Sequence, residues 1–225
     1  MFDSFWKGSP IEKVDMNTFD KSRIKMKPIT HSVAKDVIIK NHYSHTFPAA
    51  ELYLGFYVDE KLNTVVLYGQ STASKMADSL PGKYWELVRL FSFDWAGKNM
   101  ESYCIGQSIK YIKKNHSDIK VLVSFADPEQ GHNGTIYQAT NWLYCGKSQA
   151  DEWYIVDGEK IHPRSMVAKY GTRGKDKLNK MGVKFERKFL PGKHRYIYLL
   201  GNSKSETRKL KDGLKYDILE YPKGN

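Results

Sequence analysis

Residues 120–142 read KVLVSFADPEQGHNGTIYQATNW. Residues 120–126 are almost continuously apolar, which is typical of a strand buried on both faces and therefore of a central or parallel strand. Asp127 follows this strand directly, and the ring of Pro128 fixes the direction of the chain. Residues 135–142 then predict a short helix. Because open α/β sheets bind ligands at the carboxyl ends of their strands, Asp127 lies where a ligand site is expected.

The elements around this strand are a mixture of helices and strands. Thr30 can cap a helix that extends to about residue 40, and Asn99 can cap a second helix that extends to residue 114. A short helix is predicted near residues 175–180. Strands are predicted over residues 51–58, 64–69, 84–93 and 195–200, with a further strand or hairpin over residues 144–156. The pattern predicts an α/β fold in which helices flank a mixed central sheet.

We predict a single domain over residues 1–225. Residues 1–27 are weakly patterned and predict an N-terminal arm or a first strand. Residues 201–225 are polar and predict a C-terminal tail. Residues 158–195 form a basic insertion before the last strand.

The positive charge of the chain is concentrated in that insertion. The 225 residues carry a net charge of +11. Residues 158–195 hold 12 Lys and Arg against 3 Asp and Glu, whereas residues 1–157 hold 18 of each kind. Residues 1–157 are therefore neutral overall, whereas the insertion is strongly basic. Such a concentration of positive charge indicates a surface that binds a polyanion.

Nucleic acid is the partner that this basic insertion predicts, because clustered Lys and Arg neutralise phosphates. Aromatic residues, among them Tyr170 and Phe189, interleave with the charges and can stack on bases. The predicted phosphate contacts are Arg164, Arg173, Lys175, Lys177, Arg187 and Lys193. The alternative is a solvated basic surface that has no partner.

The composition also excludes several classes of protein. No apolar run approaches the ~18 residues that a membrane-spanning helix needs. Cys104 and Cys145 are too few for a disulfide scaffold or a zinc knuckle. The N-terminal residues lack the apolar stretch of a signal peptide, so we expect a cytoplasmic protein without a membrane partner.

Three further candidate sites lie before residues 120–142. Residues 42–45 read HYSH and follow a predicted helix end. His42 can act there as a base, an acid or a metal ligand, or can contact the last carbonyls of the helix. Arg89 shares a strand with Glu86 and can hold a phosphate or carboxylate, or form a salt bridge. Ser102 lies in the first turn of the second helix, where unpaired N–H groups favour an anion or a plain cap.

Asp127 and Tyr137 form the strongest candidate cluster. A carboxylate on a rigid turn at a sheet edge adds little stability, but it can take a proton or orient an amine. An Asx-turn or N-cap explains Asp127 alone. It does not explain Asp127 together with His132, Asn133 and Tyr137.

Four motifs together resemble a known family, the Mom proteins of bacteriophages. The motifs are HYS at 42–44, ELVRLF at 86–91, NMES at 99–102 and SFADPEQGHNGTIYQATNW at 124–142. Mom proteins have an acetyltransferase-like (GNAT) fold and convert adenine in phage DNA to an N6-carbamoylmethyl derivative, which protects the genome from host restriction enzymes. The resemblance therefore implies a GNAT-like fold and an anti-restriction DNA-modification enzyme in the cytoplasm of the bacterial host.

The resemblance also implies roles for individual residues. His42, Tyr43, Asp127 and Tyr137 match pocket residues, for which an iron requirement is suggested in the family. Arg89 and Ser102 match positions where the fold binds its group donor. Because the sequence lacks the Gly-rich pyrophosphate loop of acyl-CoA transferases after Arg89, the donor stays open between acyl-CoA and aminoacyl-tRNA.

For the reaction itself, the candidate base that takes the proton of adenine N6 is Asp127 or His42. Tyr43 and Tyr137 are candidates for stacking or hydrogen bonding. Double-stranded DNA is the expected substrate and tRNA a further partner, with a homodimer also allowed. A flipped base leaves a gap that could be filled by Trp142, Trp153 or Tyr170. The rival functions are an N-acyltransferase for a small amine or a protein, and a non-enzymatic nucleic-acid-binding module.

Overall fold

The computed structural model describes residues 20–71 and 74–223 and contains ten strands within them. In chain order they are β1 (Ile24–Pro28), β2 (Leu52–Val58), β3 (Lys61–Gly69), β4 (Tyr84–Ser92), β5 (Val121–Ala126), β6 (Leu143–Lys147), β7 (Asp151–Val156), β8 (Glu159–Ile161), β9 (Glu186–Leu190) and β10 (His194–Leu199). The same residues contain the helices α1 (His31–Asn41), α2 (Met100–Asn115), α3 (Thr135–Gln138), α4 (Pro163–Tyr170), α5 (Lys175–Lys180) and α6 (Lys204–Asp212). Residues 1–19 of the predicted arm lie outside the described residues, and β1 is the predicted first strand.

Seven of the strands form one mixed sheet in the order β1-β2-β3-β4-β5-β10-β6. Strands β1 to β4 pair antiparallel, and β4 pairs parallel with β5. A parallel neighbour needs a crossover connection, which α2 supplies. The almost continuously apolar residues 120–126 contain the strand β5, which is almost wholly buried as predicted. The predicted α/β fold with a mixed central sheet is therefore confirmed, as is a basic insertion before the last strand.

Alternation along β3 explains why helices cover both faces of this sheet. Leu67 packs with Ala34 and Ile38 of α1. The next side chain, Tyr68, points to the opposite face, where its hydroxyl lies 2.7 Å from the Ser108 hydroxyl of α2. Since each buried aliphatic side chain contributes about 1.5–3 kcal/mol, the packing of both helices on the sheet stabilises the fold.

The contacts between Cα atoms divide the chain into two compact units. Unit 1 consists of Met1–Ser124, Ile136–Trp142 and Ile197–Tyr216, and unit 2 consists of Phe125–Thr135, Leu143–Tyr196 and Asp217–Asn225. The single domain over residues 1–225 stays a prediction.

The basic insertion and β7 together form a second sheet and core within unit 2. This antiparallel sheet has the order β8-β7-β9. Tyr154 and Val156 of β7 pack there with Met166 of α4 and Leu178 of α5. The single strand or hairpin predicted over residues 144–156 is wrong, because β6 and β7 belong to different sheets. The apolar residues of β7 are partnered by β9, whose charged sequence ERKFL did not indicate a strand.

The predicted C-terminal tail contains a helix that the polar composition concealed. Ser203 caps α6 by accepting a hydrogen bond from the N–H of Glu206 at 3.1 Å. The Glu206 carboxylate accepts in return from the N–H of Asn202 at 2.8 Å, which completes a capping box. Glu206 also pairs with Lys120 at 2.9 Å. Residues 204–212 are therefore an anchored helix rather than a tail.

Candidate functional site

His42 lies in unit 1 where α1 ends. Its backbone N–H donates to the carbonyl of Ile38 at 3.0 Å, so the residue closes the helix as its C-cap. The imidazole is 8% exposed and its ring centroid lies 4.3 Å from that of Tyr43, which is 52% exposed. The predicted pair thus combines a buried imidazole with an accessible phenol.

The imidazole of His42 forms hydrogen bonds within its own loop. Its Nδ1 atom lies 2.9 Å from the Ser44 hydroxyl and accepts from the Ser44 backbone N–H at 3.2 Å. The hydroxyl of Thr46 donates to Ser44 Oγ at 3.2 Å. The sequence HYS therefore supplies both the candidate histidine and the group that orients it.

Arg89 lies where β4 separates from its parallel neighbour. The pairing of β4 with β5 covers only residues 84–86 and 121–123. On the other side, Leu67 pairs with Arg89 and Tyr68 with Leu87, which leaves Val88 as a bulge just before Arg89. Bulges re-aim side chains and are common beside functional sites.

The guanidinium of Arg89 contacts the loop that carries His42. Its Nη2 donates to the Thr46 hydroxyl at 2.7 Å, and its Nη1 donates to the carbonyl of Val88 at 2.6 Å. Burial lowers the pKa of Arg89, and electrostatic interaction with Tyr43 and Glu86 acts in the opposite direction. Within the described residues, no carboxylate lies at ion-pair distance from this guanidinium. The structure therefore brings His42, Tyr43 and Arg89 together, and the positive charge of Arg89 is held by uncharged oxygens.

Tyr137 is also part of unit 1 and is joined to β4 through Ser124. The Tyr137 hydroxyl lies 2.8 Å from Ser124 Oγ, which in turn lies 3.3 Å from the carbonyl of Leu87. The side chain is 6% exposed and its ring packs on Trp142, with centroids 5.2 Å apart. Tyr137 is therefore fixed against the part of β4 that lies two residues before Arg89.

Ser102 has a local structural partner. Its hydroxyl donates to the carbonyl of Asn99 at 3.0 Å within the first turn of α2. Asn99 occupies the predicted N-cap position, but its backbone is left-handed, with φ at 71°, and its side chain forms no capping hydrogen bond. The predicted role of Ser102 in donor binding stays a prediction.

Asp127 belongs to unit 2 and both of its carboxylate oxygens have partners. One oxygen accepts from the N–H of Glu129 at 3.0 Å and caps the turn that follows. The other lies 3.3 Å from the ammonium of Lys193, and the side chain is 18% exposed. The Asx-turn interpretation is thus correct for one oxygen, while the ion pair is a contact that the sequence did not predict.

The predicted phosphate contacts fall into different environments within unit 2. Arg173, Lys175 and Lys177 are exposed around the start of α5. Arg187 pairs with the Glu152 carboxylate, and Lys193 pairs with Asp127. Arg164 lies in α4, and its side chain is outside the described part of the structure.

The three aromatic residues predicted to fill the gap left by a flipped base also lie in different environments. Trp142 is fully buried in unit 1, where its ring contacts Tyr137 and Tyr198. The prediction that it can fill the gap left by a flipped base is therefore wrong. Trp153 is half-buried under the ammonium of Lys160. Tyr170 is half-buried, with the ammonium of Lys169 5.4 Å from its ring centroid, so its role in filling the gap stays a prediction.

Three of the four residues suggested as iron ligands, His42, Asp127 and Tyr137, have polar partners within their own units, and the iron site stays a prediction. His42 uses Nδ1 as an acceptor, and Asp127 uses one oxygen for a cap and the other for an ammonium. The Tyr137 hydroxyl is buried against Ser124. No group of three or more His, Cys, Asp or Glu side chains suited to a metal occurs among the described residues.

Sequence reasoning missed three residues that hold the candidate side chains. Ser44 and Thr46 orient His42 and Arg89, and Ser124 orients Tyr137. Ser44 stands within the motif HYS and Ser124 within the long motif, so their positions in those motifs were the available signal. Nothing in the sequence pairs Thr46 with Arg89, because 43 positions separate them.

Comparison with known proteins identifies relatives over most of the chain. The sequence pattern described as the Mom protein family matches residues 23–223. The protein named "Methylcarbamoylase mom" of Escherichia phage Mu is 27% identical over 214 residues, which cover 91% of this chain and 86% of that protein.

Solved structures of acetyltransferases are also similar to this chain. An N-acetyltransferase from Staphylococcus aureus Mu50 aligns with a TM-score of 0.45 and 14% identity, over 79% of this chain and 97% of its own. A spermidine N-acetyltransferase from Vibrio cholerae aligns with a TM-score of 0.49 and 8% identity, over 80% of this chain and 95% of its own. Similarity of this size gives no information on donor or substrate. None of the helices in the described residues has the length and apolar character to cross a bilayer.

Proposed function

We propose, from the premise that this chain belongs to the Mom protein family, that it is a transferase that modifies adenine in DNA. The modification is a carbamoylmethyl group on N6, and its consequence is protection of the DNA from restriction. The observation that carries this proposal is the match over residues 23–223, together with a relative named methylcarbamoylase that aligns with 91% of the chain.

Arg89 is proposed to hold the anionic part of the group donor. Its half-buried guanidinium hydrogen-bonds to Thr46 and Val88, so the charge is positioned but not neutralised by a carboxylate in the described residues. A fixed guanidinium of this kind pairs with phosphate in a fork geometry. Acyl-CoA and aminoacyl-tRNA both carry phosphates, and both stay open as donors.

The acceptor chemistry requires a base. The N6 lone pair of adenine is delocalised into the ring, so a proton must leave N6 as the new N–C bond forms. In the same transfer, the bond between the carbamoylmethyl group and its donor breaks, and the rest of the donor leaves with that electron pair. Asp127 and His42 are the two candidates for the group that takes this proton. In a duplex the base must also leave the stack, which costs a few kcal/mol.

DNA binding is proposed to rest on the basic insertion, above all on Arg173, Lys175 and Lys177. Their exposure at the start of α5 leaves them accessible to phosphates. The other two described contacts, Arg187 and Lys193, each have a carboxylate partner, so they would have to exchange it for a phosphate. Phosphate neutralisation of this kind makes binding strongly dependent on salt.

The experiment is expression of the whole chain in bacterial cells, followed by mass spectrometry of nucleosides from their DNA. We expect a deoxyadenosine whose mass is increased by one carbamoylmethyl group in place of a hydrogen, together with resistance of the DNA to restriction enzymes whose sites contain adenine. The matched control is Asp127→Asn, which keeps the cap but removes the carboxylate.

Two other results would assign a rival function. Unmodified DNA together with an acylated small amine or protein would indicate an ordinary N-acyltransferase. Unmodified DNA that the purified chain binds in a salt-dependent manner would indicate a nucleic-acid-binding module without catalysis.

A further inference from the structure

We propose that Ser44 and Thr46 are positioning residues that, together with Arg89, hold His42 in the tautomer whose hydrogen is on Nε2. The three side chains form a continuous hydrogen-bonded chain that ends on His42. Arg89 Nη2 lies 2.7 Å from Thr46 Oγ1, Thr46 Oγ1 lies 3.2 Å from Ser44 Oγ, and Ser44 Oγ lies 2.9 Å from His42 Nδ1. All four residues belong to unit 1, and this series of hydrogen bonds joins two motifs that are far apart in sequence.

The direction of the hydrogens in this chain is set at its cationic end. A guanidinium can only donate, so Thr46 must accept from Arg89. The single hydrogen of the Thr46 hydroxyl is then available for Ser44 Oγ, and that of Ser44 for His42 Nδ1. Each hydroxyl accepts on one side and donates on the other, and such aligned bonds strengthen one another.

A second donor reaches the same imidazole nitrogen from the backbone. The N–H of Ser44 points to His42 Nδ1 at 3.2 Å, and a backbone N–H has no acceptor alternative. Nδ1 therefore faces two donors, of which the Ser44 hydroxyl is the closer, at 2.9 Å against 3.2 Å for the backbone N–H. A neutral imidazole carries one hydrogen, and the geometry leaves it on Nε2.

This tautomer decides between the two candidate bases, a step that rests on the proposed function. With Nδ1 engaged and Nε2 carrying the hydrogen, the imidazole of His42 donates a hydrogen bond and does not accept the proton of adenine N6. Such a donor suits an oxygen that gains negative charge during the transfer. Asp127 is then the remaining candidate for the base.

The tautomer can be measured directly by nitrogen NMR on the full chain labelled with ¹⁵N-histidine. The signals of His42 are assigned by their loss in His42→Gln. We expect Nδ1 at the chemical shift of an unprotonated nitrogen and Nε2 at that of a protonated one near neutral pH. A protonated Nδ1 in the unaltered chain would overturn the proposal.

Variants of the chain test whether the two hydroxyls act through His42. Ser44→Ala and Thr46→Val should shift His42 towards a mixture of tautomers, whereas Thr46→Ser keeps the hydroxyl and should restore the parental signals. Modified deoxyadenosine should fall by about a hundredfold in Ser44→Ala if the imidazole is misplaced. Ser205→Ala, which removes an exposed hydroxyl from α6, is the control. It should change neither the nitrogen signals of His42 nor the amount of modified deoxyadenosine.

The outcomes separate this proposal from the proposed function. The expected tautomer in a chain that leaves DNA unmodified would support the positioning of His42 and overturn the function. Modified DNA in a chain whose His42 carries its hydrogen on Nδ1 would support the function and overturn the positioning. Unchanged tautomer signals in a folded Ser44→Ala variant, as judged by its thermal melting, would remove Ser44 from the role.

Discussion

His42 and Asp127 are both candidates for the same reaction, yet they are held by opposite kinds of contact. His42 is buried, and its Nδ1 contacts the hydroxyl and the backbone N–H of Ser44. Asp127 is partly exposed and is held by the ammonium of Lys193 as well as a backbone N–H. Neutral hydrogen bonds to a buried imidazole fix a tautomer, whereas an ion pair near solvent can exchange its partner. The first arrangement suits a fixed donor, and the second suits a group whose charge changes.

The largest effect should come from Asp127→Asn. The amide can still cap the turn at Glu129, but it cannot take a proton and loses the attraction of Lys193. Since general base catalysis contributes about 10²–10⁴-fold, modified deoxyadenosine should fall by at least about a hundredfold. Nucleoside mass spectrometry measures this loss.

DNA affinity provides the control for that variant. We expect the Asp127→Asn protein to bind duplex DNA as the parental chain does. A loss of affinity that parallels the loss of modification would assign Asp127 to binding and would remove the contrast with His42.

The next largest effect should come from Arg89→Lys, which keeps the charge but not the fork geometry. One ammonium cannot reproduce the contacts to both Thr46 and Val88, and it presents a different shape to a phosphate. Loss of a charged hydrogen bond costs about 1.5–3 kcal/mol, which corresponds to about tenfold to a hundredfold in modification. Full modification by a folded Arg89→Lys protein would show that charge alone suffices and that the link to Thr46 is dispensable.

Several secondary-structure elements could be predicted from the sequence alone. The apolar run of residues 120–126 predicted the buried β5, because continuous apolar residues suit a strand covered on both faces. Thr30 predicted the start of α1 because its hydroxyl caps the helix. The helix predicted near residues 175–180 is found as α5. Local patterns therefore predicted those elements whose causes are local.

What the sequence could not predict depends on contacts between distant residues. The strand β9 carries four exposed residues and one buried leucine, so its pairing with β7 leaves almost no hydrophobic pattern. The contact of Arg89 with Thr46 depends on a bulge at Val88 that has no sequence signature. Ser203 and Glu206 have the spacing of a capping box, which is a sequence signature of a helix start. The prediction of a tail followed the polar composition of the surrounding residues instead.

A smaller effect is expected when the exposed charges around the start of α5 are removed. Replacing Arg173, Lys175 and Lys177 by Gln should lower the slope of log affinity against log salt by about 0.9 for each phosphate that the protein no longer neutralises. Binding to duplex DNA measured over a series of salt concentrations gives this slope. The matched control replaces the exposed Lys204, Arg208 and Lys211 of α6 by Gln, which removes the same charge from another helix. Equal slopes in the two triple variants would assign the effect to net charge alone.

The smallest effect tests the contrast between the two candidate residues through stability. Lys193→Gln removes the ion pair with Asp127, and since both side chains are partly exposed it should lower the free energy of unfolding by less than about 1 kcal/mol. Ser44→Ala removes a hydrogen bond to His42 and should cost about 0.5–1.5 kcal/mol. Urea denaturation at low salt and at about 1 M salt separates the two kinds of contact, because the Debye length at that concentration is about 3 Å. The cost of Lys193→Gln should vanish at high salt while that of Ser44→Ala persists, and a common salt dependence would show that both sites are held by charge.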